Sequence, residues 1–153
     1  MIVKFKKLSN TAITPHRAHH NDAGYDLFSD EDVELQYGET KVVSTGISLE
    51  IPKGYYADVR PRSGLTSKTA LRVHLGTIDS DYRGKVGIIC ENHFEKKEEG
   101  NDFFHNYLIK QGDKIGQLVI HKLPEIELVE TQELSDSERG LNGFGSTDKK
   151  EGK

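Results

Sequence analysis

Thr40-Lys41-Val42-Val43-Ser44-Thr45-Gly46-Ile47-Ser48-Leu49-Glu50-Ile51 leads into Pro52-Lys53-Gly54 and out again as Tyr55-Tyr56-Ala57-Asp58-Val59-Arg60. Two β-rich runs thus flank a turn signal, because proline presets one backbone angle and glycine tolerates the other. Val42 and Val43 are adjacent rather than alternating, which predicts a strand buried on both faces at one end. Similar short runs recur at Ile2–Leu8, Val33–Tyr37, Lys85–Glu91, Lys114–Lys122 and Ile126–Glu130, with Gln111-Gly112-Asp113 as a second turn signal. No segment keeps a helical period for long, and there is no internal repeat. Many short strands at this spacing predict an all-β fold, a barrel or jelly roll.

With 153 residues, the chain suits one domain with a sizeable core and is too short for two. Apolar residues make up only 34% and charged residues 30%, so the core is expected to be small or completed by partner subunits. A net charge of −4 gives no electrostatic footprint for a nucleic-acid polymer, and a free nucleotide is the better expectation. No apolar run reaches the roughly 20 residues of a membrane-spanning helix. Met1-Ile2-Val3-Lys4-Phe5 lacks the sections of a signal peptide, and the single Cys90 allows no intrachain disulfide. These features predict a soluble, cytoplasmic protein.

Several short constellations carry chemistry. Gly76-Thr77-Ile78-Asp79-Ser80-Asp81-Tyr82-Arg83-Gly84 reads as a tight turn presenting a carboxylate, a ring and a cation. Asp79 can accept a proton from water and Tyr82 offers a flat surface for a sugar; a merely solvated acidic hairpin fits the same residues. Pro61-Arg62-Ser63-Gly64-Leu65 can aim backbone N–H groups, a hydroxyl and a planar cation at an anion, or be an ordinary turn. Arg139-Gly140-Leu141-Asn142-Gly143-Phe144-Gly145-Ser146-Thr147 repeats that chemistry in a polar tail, with Phe144 able to stack on a base. Asp26, in Ala23-Gly24-Tyr25-Asp26-Leu27, is either a turn cap or a contact to a phosphate-bound Mg²⁺. Gln117, beyond the Gly112-Asp113 turn, is an outward donor or a surface residue. His16, His19 and His20 have no carboxylate or cysteine array to complete a metal site, and Cys90 fits the core.

In sequence, these constellations fall at Ala23–Ser29, Pro61–Lys68, Gly76–Ile88, Gly112–Leu118 and Arg139–Thr147. That order and spacing resembles the five motifs of the trimeric deoxyuridine triphosphatase (dUTPase) family, over a span from about Asp22 to Thr147. The resemblance implies a jelly-roll-like β-barrel. Residues 1–134 would form its body, with a charged hairpin insertion at about 93–106, and residues 135–153 a flexible C-terminal arm. It further implies a homotrimer with arm exchange and active sites at the subunit interfaces. One subunit supplies the elements around Asp26, Ser63 and Gln117, a second the hairpin Gly76–Tyr82, and the third its arm as a lid.

The implied reaction is hydrolysis of dUTP to dUMP and pyrophosphate by water attack at the α-phosphorus. It keeps uracil out of DNA and supplies dUMP for thymidylate synthesis. By resemblance, Asp79 is the general base, and Mg²⁺ is held mainly by the triphosphate, with Asp26 reaching it through water. Arg62, Ser63, Gly64 and Gln117 position phosphates, and Arg139, Gly145, Ser146 and Thr147 close over them. The backbone of Gly76, Thr77 and Ile78 pairs with the uracil edge. Tyr82 lies under the deoxyribose, and Phe144 stacks on the base. Asn142 and Asp148 stand where the family arm usually has glycine, and the 93–106 stretch is longer than the usual turn. That stretch is the one sequence hint of a protein partner, and hence of a nucleotide-switched regulatory role. A dCTP deaminase of the same fold is the other alternative.

Overall fold

A computed structural model of the chain describes residues 1–93 and 105–141. The bulk of the predicted insertion and the arm residues Phe144, Gly145, Ser146 and Thr147 lie outside the described residues. Among the described residues, ten strands and one short helix follow one another: β1 (Lys4–Lys7), β2 (Gly24–Phe28), β3 (Val33–Leu35), β4 (Thr40–Glu50), β5 (Tyr55–Arg60), α1 (Ser63–Lys68), β6 (Leu71–Val73), β7 (Gly76–Ile78), β8 (Lys85–Asn92), β9 (Tyr107–Ile109) and β10 (Lys114–Lys122). They form two four-stranded antiparallel sheets, β1-β4-β8-β6 and β2-β10-β5-β7, with β3 and β9 paired beside them. Among the described residues neither large sheet closes on itself, so the all-β jelly-roll-like expectation holds without closure into a true barrel.

The strands form where side chains alternate. In β8, Val86, Ile88, Cys90 and Asn92 are buried while Lys85 and Ile89 face out, the period of two that a half-buried strand requires. The two sheets close on a core that includes Leu27, Leu35, Val43, Ile47, Val59, Ile88, Ile109, Ile115 and Leu118. Asn92 is the inward polar exception. Its amide donates to the carbonyls of Leu35 at 3.1 Å and His105 at 2.9 Å, tying together the two ends of the 94–104 segment.

In β4 the valine pair departs from expectation. Val42 is 67% exposed and Val43 fully buried, so the pair alternates after all. Continuous burial comes later, over residues 43–47. There the register against β8 slips between Ser44 and Ser48, and Gly46 adopts φ +66. A bulge of this kind puts one residue into the left-handed region that glycine enters freely. A Cβ at Gly46 would also strike the Asp30 carboxylate at 2.6 Å.

Three further expectations are corrected. Ile126–Glu130 has strand composition but pairs with no described residue of the protomer; Ile126 is 76% and Leu128 93% exposed. Pro61–Leu65 is not a simple turn, because Ser63–Lys68 closes into a short helix whose N-cap is Arg62. Gly76–Ile78 is strand β7, and the tight turn begins only at Asp79, where the Tyr82 N–H donates to the Asp79 carbonyl at 3.2 Å.

Candidate active site

β10 is the central organiser, pairing with β2 on one side and β5 on the other. Gln117 lies opposite Asp26 of β2 and Arg60 of β5, so three distant stretches of sequence meet at one end of the sheet. Asp26 Oδ1 pairs with Arg62 Nε at 3.1 Å and its Oδ2 with Lys114 Nζ at 2.9 Å. Arg62 Nη1 also donates to the Lys114 carbonyl at 3.1 Å. Two cations thus share one carboxylate, which leaves a net positive corner. Gln117 Nε2 donates to the Pro61 carbonyl at 2.9 Å and fixes the entry to α1.

Ser63 and Gly64 open α1, which has no side-chain cap at its N-terminus. The first N–H groups of a helix have no partner within it. Here they are exposed next to the Arg62–Asp26–Lys114 corner. The combination of half-neutralised cations and free backbone donors suits a polyphosphate.

At the other end of β5 stands the hairpin. β7 pairs with β5 through Ala57↔Ile78, Asp58↔Thr77 and Val59↔Gly76. Asp79 follows on the exposed turn. The Tyr82 hydroxyl donates to the Lys85 carbonyl at 3.1 Å, and the ring remains 47% exposed. Asp79 is therefore displaced from Arg60 along the strand by about 13 Å at ordinary strand rise. Within one protomer the hairpin and the cationic corner do not meet. Surface hollows of ≈ 470 Å³ at Lys4, Phe5 and Arg83 and ≈ 740 Å³ at Lys53, Tyr55 and Lys122 include none of Asp26, Arg62, Asp79 or Gln117.

The sequence reading passed over three contributors. Lys114 grips Asp26, which only the β2–β10 register reveals. Gly24 leaves the space that Gln117 fills, since a Cβ there would collide with the Gln117 side chain. Gly84 does the same for the Tyr82 ring. Glycine within a strand or turn is the one available signal for such close approach. Arg139 lies on the described, exposed part of the tail, next to a turn in which the Gly140 N–H donates to the Ser137 carbonyl at 3.0 Å. Cys90 is buried and its thiol is pushed up to about 12 by desolvation, which disqualifies it as a nucleophile.

Among the described residues no group of three His, Cys, Asp or Glu could hold a metal ion. Asp26 can still serve a metal through water. Each of its oxygens accepts one cation, and a carboxylate oxygen has lone-pair capacity for a second partner. No described helix is long and apolar enough to cross a membrane.

A family model described as dUTPase matches residues 10–148. The deoxyuridine 5'-triphosphate nucleotidohydrolase of Clostridium tetani is 44% identical over 149 residues, covering 96% of this chain and 97% of its own. The mouse enzyme of the same name is 42% identical, over 96% of this chain and 85% of its own. Among solved structures, the Staphylococcus bacteriophage 80alpha dUTPase with dUPNHPP superposes with a TM-score of 0.85 at 37% identity, over 95% and 97% of the two chains. The dUTPase of S. aureus phage phi11, solved to visualise a species-specific insert, superposes at 0.78 with 33% identity, covering 90% of this chain and 100% of its own. With a family model spanning residues 10–148 and near-complete coverage of relatives in sequence and structure, the chain belongs to the dUTPase family.

Proposed function

We propose that the protein hydrolyses dUTP to dUMP and pyrophosphate at sites shared between subunits of a homotrimer. The observation that carries the shared site is the separation along β5. The Arg62–Asp26–Lys114 corner and the Asp79–Tyr82 hairpin occupy opposite ends of one strand. We read the two as halves of different sites, so that one subunit's corner faces another's hairpin. Among the described residues the Ile126–Glu130 segment has no partner strand, and its exposed apolar residues suit cover by a second copy.

In the assembled site, Arg62, the Ser63 and Gly64 N–H groups and Gln117 hold the phosphates. Asp26, braced by Arg62 and Lys114, would hold Mg²⁺ through water. The metal, when bound with the triphosphate, neutralises charge that would repel the attacking oxygen. Asp79, exposed on its turn, orients the water and takes its proton. Little covalent work falls to the protein; positioning and charge compensation dominate phosphoryl transfer. Tyr82, tethered through its hydroxyl and backed by Gly84, presents a ring face that leaves no room for a ribose 2′-hydroxyl. The backbone of Gly76–Ile78 reads the uracil edge. A cytosine there would set donor against donor, a mismatch that costs strongly when buried. Phe144, Gly145, Ser146 and Thr147 close the arm with Arg139.

Pyrophosphate release from dUTP, dTTP, dCTP and UTP, measured side by side with Mg²⁺, tests this directly. Release from dUTP alone is the expected result. Ammonia from dCTP, with no pyrophosphate from dUTP, would instead mark a deaminase.

A further inference from the structure

The outward face of β5 carries a charged cluster to which the proposed mechanism gives no role. Ala57 and Val59 point into the core, so Tyr56, Asp58 and Arg60 lie on the opposite face. Asp58 is nevertheless only 6% exposed. Its Oδ2 meets Arg60 Nη2 at 3.0 Å and His121 Nε2 at 3.2 Å. Arg60 Nη2 and His121 Nε2 are themselves 3.3 Å apart, and the His121 ring stacks on Tyr56 at 5.1 Å. The other oxygen, Oδ1, accepts from Thr77 Oγ1 at 3.3 Å. A carboxylate this enclosed is costly unless paired, and here every partner lies on β5, β10 or β7.

The Thr77 contact matters because of what β7 is. It has three residues, forms an edge of its sheet, and is held by three residue pairs to β5. Asp58 and Thr77 are the central pair, directly opposite one another. Cross-strand side-chain bonds are the unit that stabilises such pairings. The far edge of β7 offers unpaired backbone groups, the means by which an edge strand recognises a flat or extended ligand.

We propose that Asp58 is a positioning residue for base recognition: braced by Arg60 and His121, it holds Thr77 and thereby the Gly76–Ile78 backbone edge. This rests on the reading of β7 as the uracil-contacting strand. The test compares full-length wild type with Thr77→Val, Thr77→Ser, Asp58→Asn and the Thr77→Val/Asp58→Asn double variant, using dUTP and dCTP kinetics. Thr77→Val and Asp58→Asn should each raise KM for dUTP about three- to fivefold, the scale of one cross-strand bond, with a smaller fall in kcat. The preference for dUTP over dCTP should narrow, Thr77→Ser should retain it, and the double variant should be no worse than the stronger single one. Unchanged KM and discrimination in Thr77→Val, or additive losses in the double variant, would overturn the proposal. If Asp58→Asn does not fold, the Val and Ser variants at Thr77 decide alone. Calorimetric binding of a nonhydrolysable dUTP analogue gives the same comparison without turnover, so failure of hydrolysis and failure of positioning are read separately.

Discussion

Asp79 sits exposed on a turn that the Tyr82 N–H closes onto its carbonyl. Its side chain can therefore change chemically without disturbing the core. Asp79→Asn should keep fold and nucleotide affinity while losing about 10²- to 10⁴-fold in kcat, since the amide keeps the shape but cannot accept the proton. Single-turnover measurement on a protein with an unchanged thermal midpoint checks this, and near-normal turnover would remove Asp79 as base. Tyr82 invites a different change. Its ring is tethered at the hydroxyl to Lys85 and rests over Gly84, so Tyr82→Ala deletes a wall rather than a support. The ratio of kcat/KM for dUTP over UTP should fall, with some loss on dUTP itself. A ratio equal to that of the wild type would mean the sugar is gated elsewhere.

At the scale of elements, the body of the fold ends with β10 at Lys122, and no described residue after it joins a strand or helix. No described residue from Arg139 onward belongs to the core. The truncated protein should unfold at the same denaturant concentration as the full chain yet hydrolyse dUTP poorly, because lid closure and charge compensation are lost. Proteolysis offers the converse measurement: a nonhydrolysable dUTP analogue should protect the full-length tail. Full activity after truncation, or a tail cleaved equally fast with ligand, would show that the arm is no lid. Before the arm, Ile126–Glu130 illustrates how composition can be right about propensity and silent about partner. Its β-branched and apolar residues suit a strand, but no described residue of the protomer pairs with it.

For the whole molecule, the separation of the cationic corner from the hairpin gives a complementation experiment. Arg62→Ala subunits lack the corner, and Asp79→Asn subunits lack the base. Each should be nearly inactive alone. Unfolded together and refolded as mixed trimers, they should recover about a quarter of wild-type activity, because a quarter of randomly paired corners and hairpins are both intact. Activity that stays at the level of the separate variants would place the whole site within one chain.

The sequence by itself determined the class of fold and the family. Period-two burial in β8, the turn at Pro52-Lys53-Gly54 and the order of the five constellations are local patterns, and local patterns are set by neighbouring residues. The resemblance carried on those constellations named the family that the comparisons then showed. Tertiary structure alone decided which groups meet. Lys114 reaches Asp26 across 88 positions, Gln117 anchors Pro61, and Asp58 holds Thr77, because β10 and β5 bring β2 and β7 into register. Strand pairing is a choice among distant partners made by core burial and edge hydrogen bonds, and a one-residue slip would turn each of these side chains to the other face. The same long-range pairing holds Asp79 away from Arg62 within the protomer, a distance that composition and motif spacing do not encode.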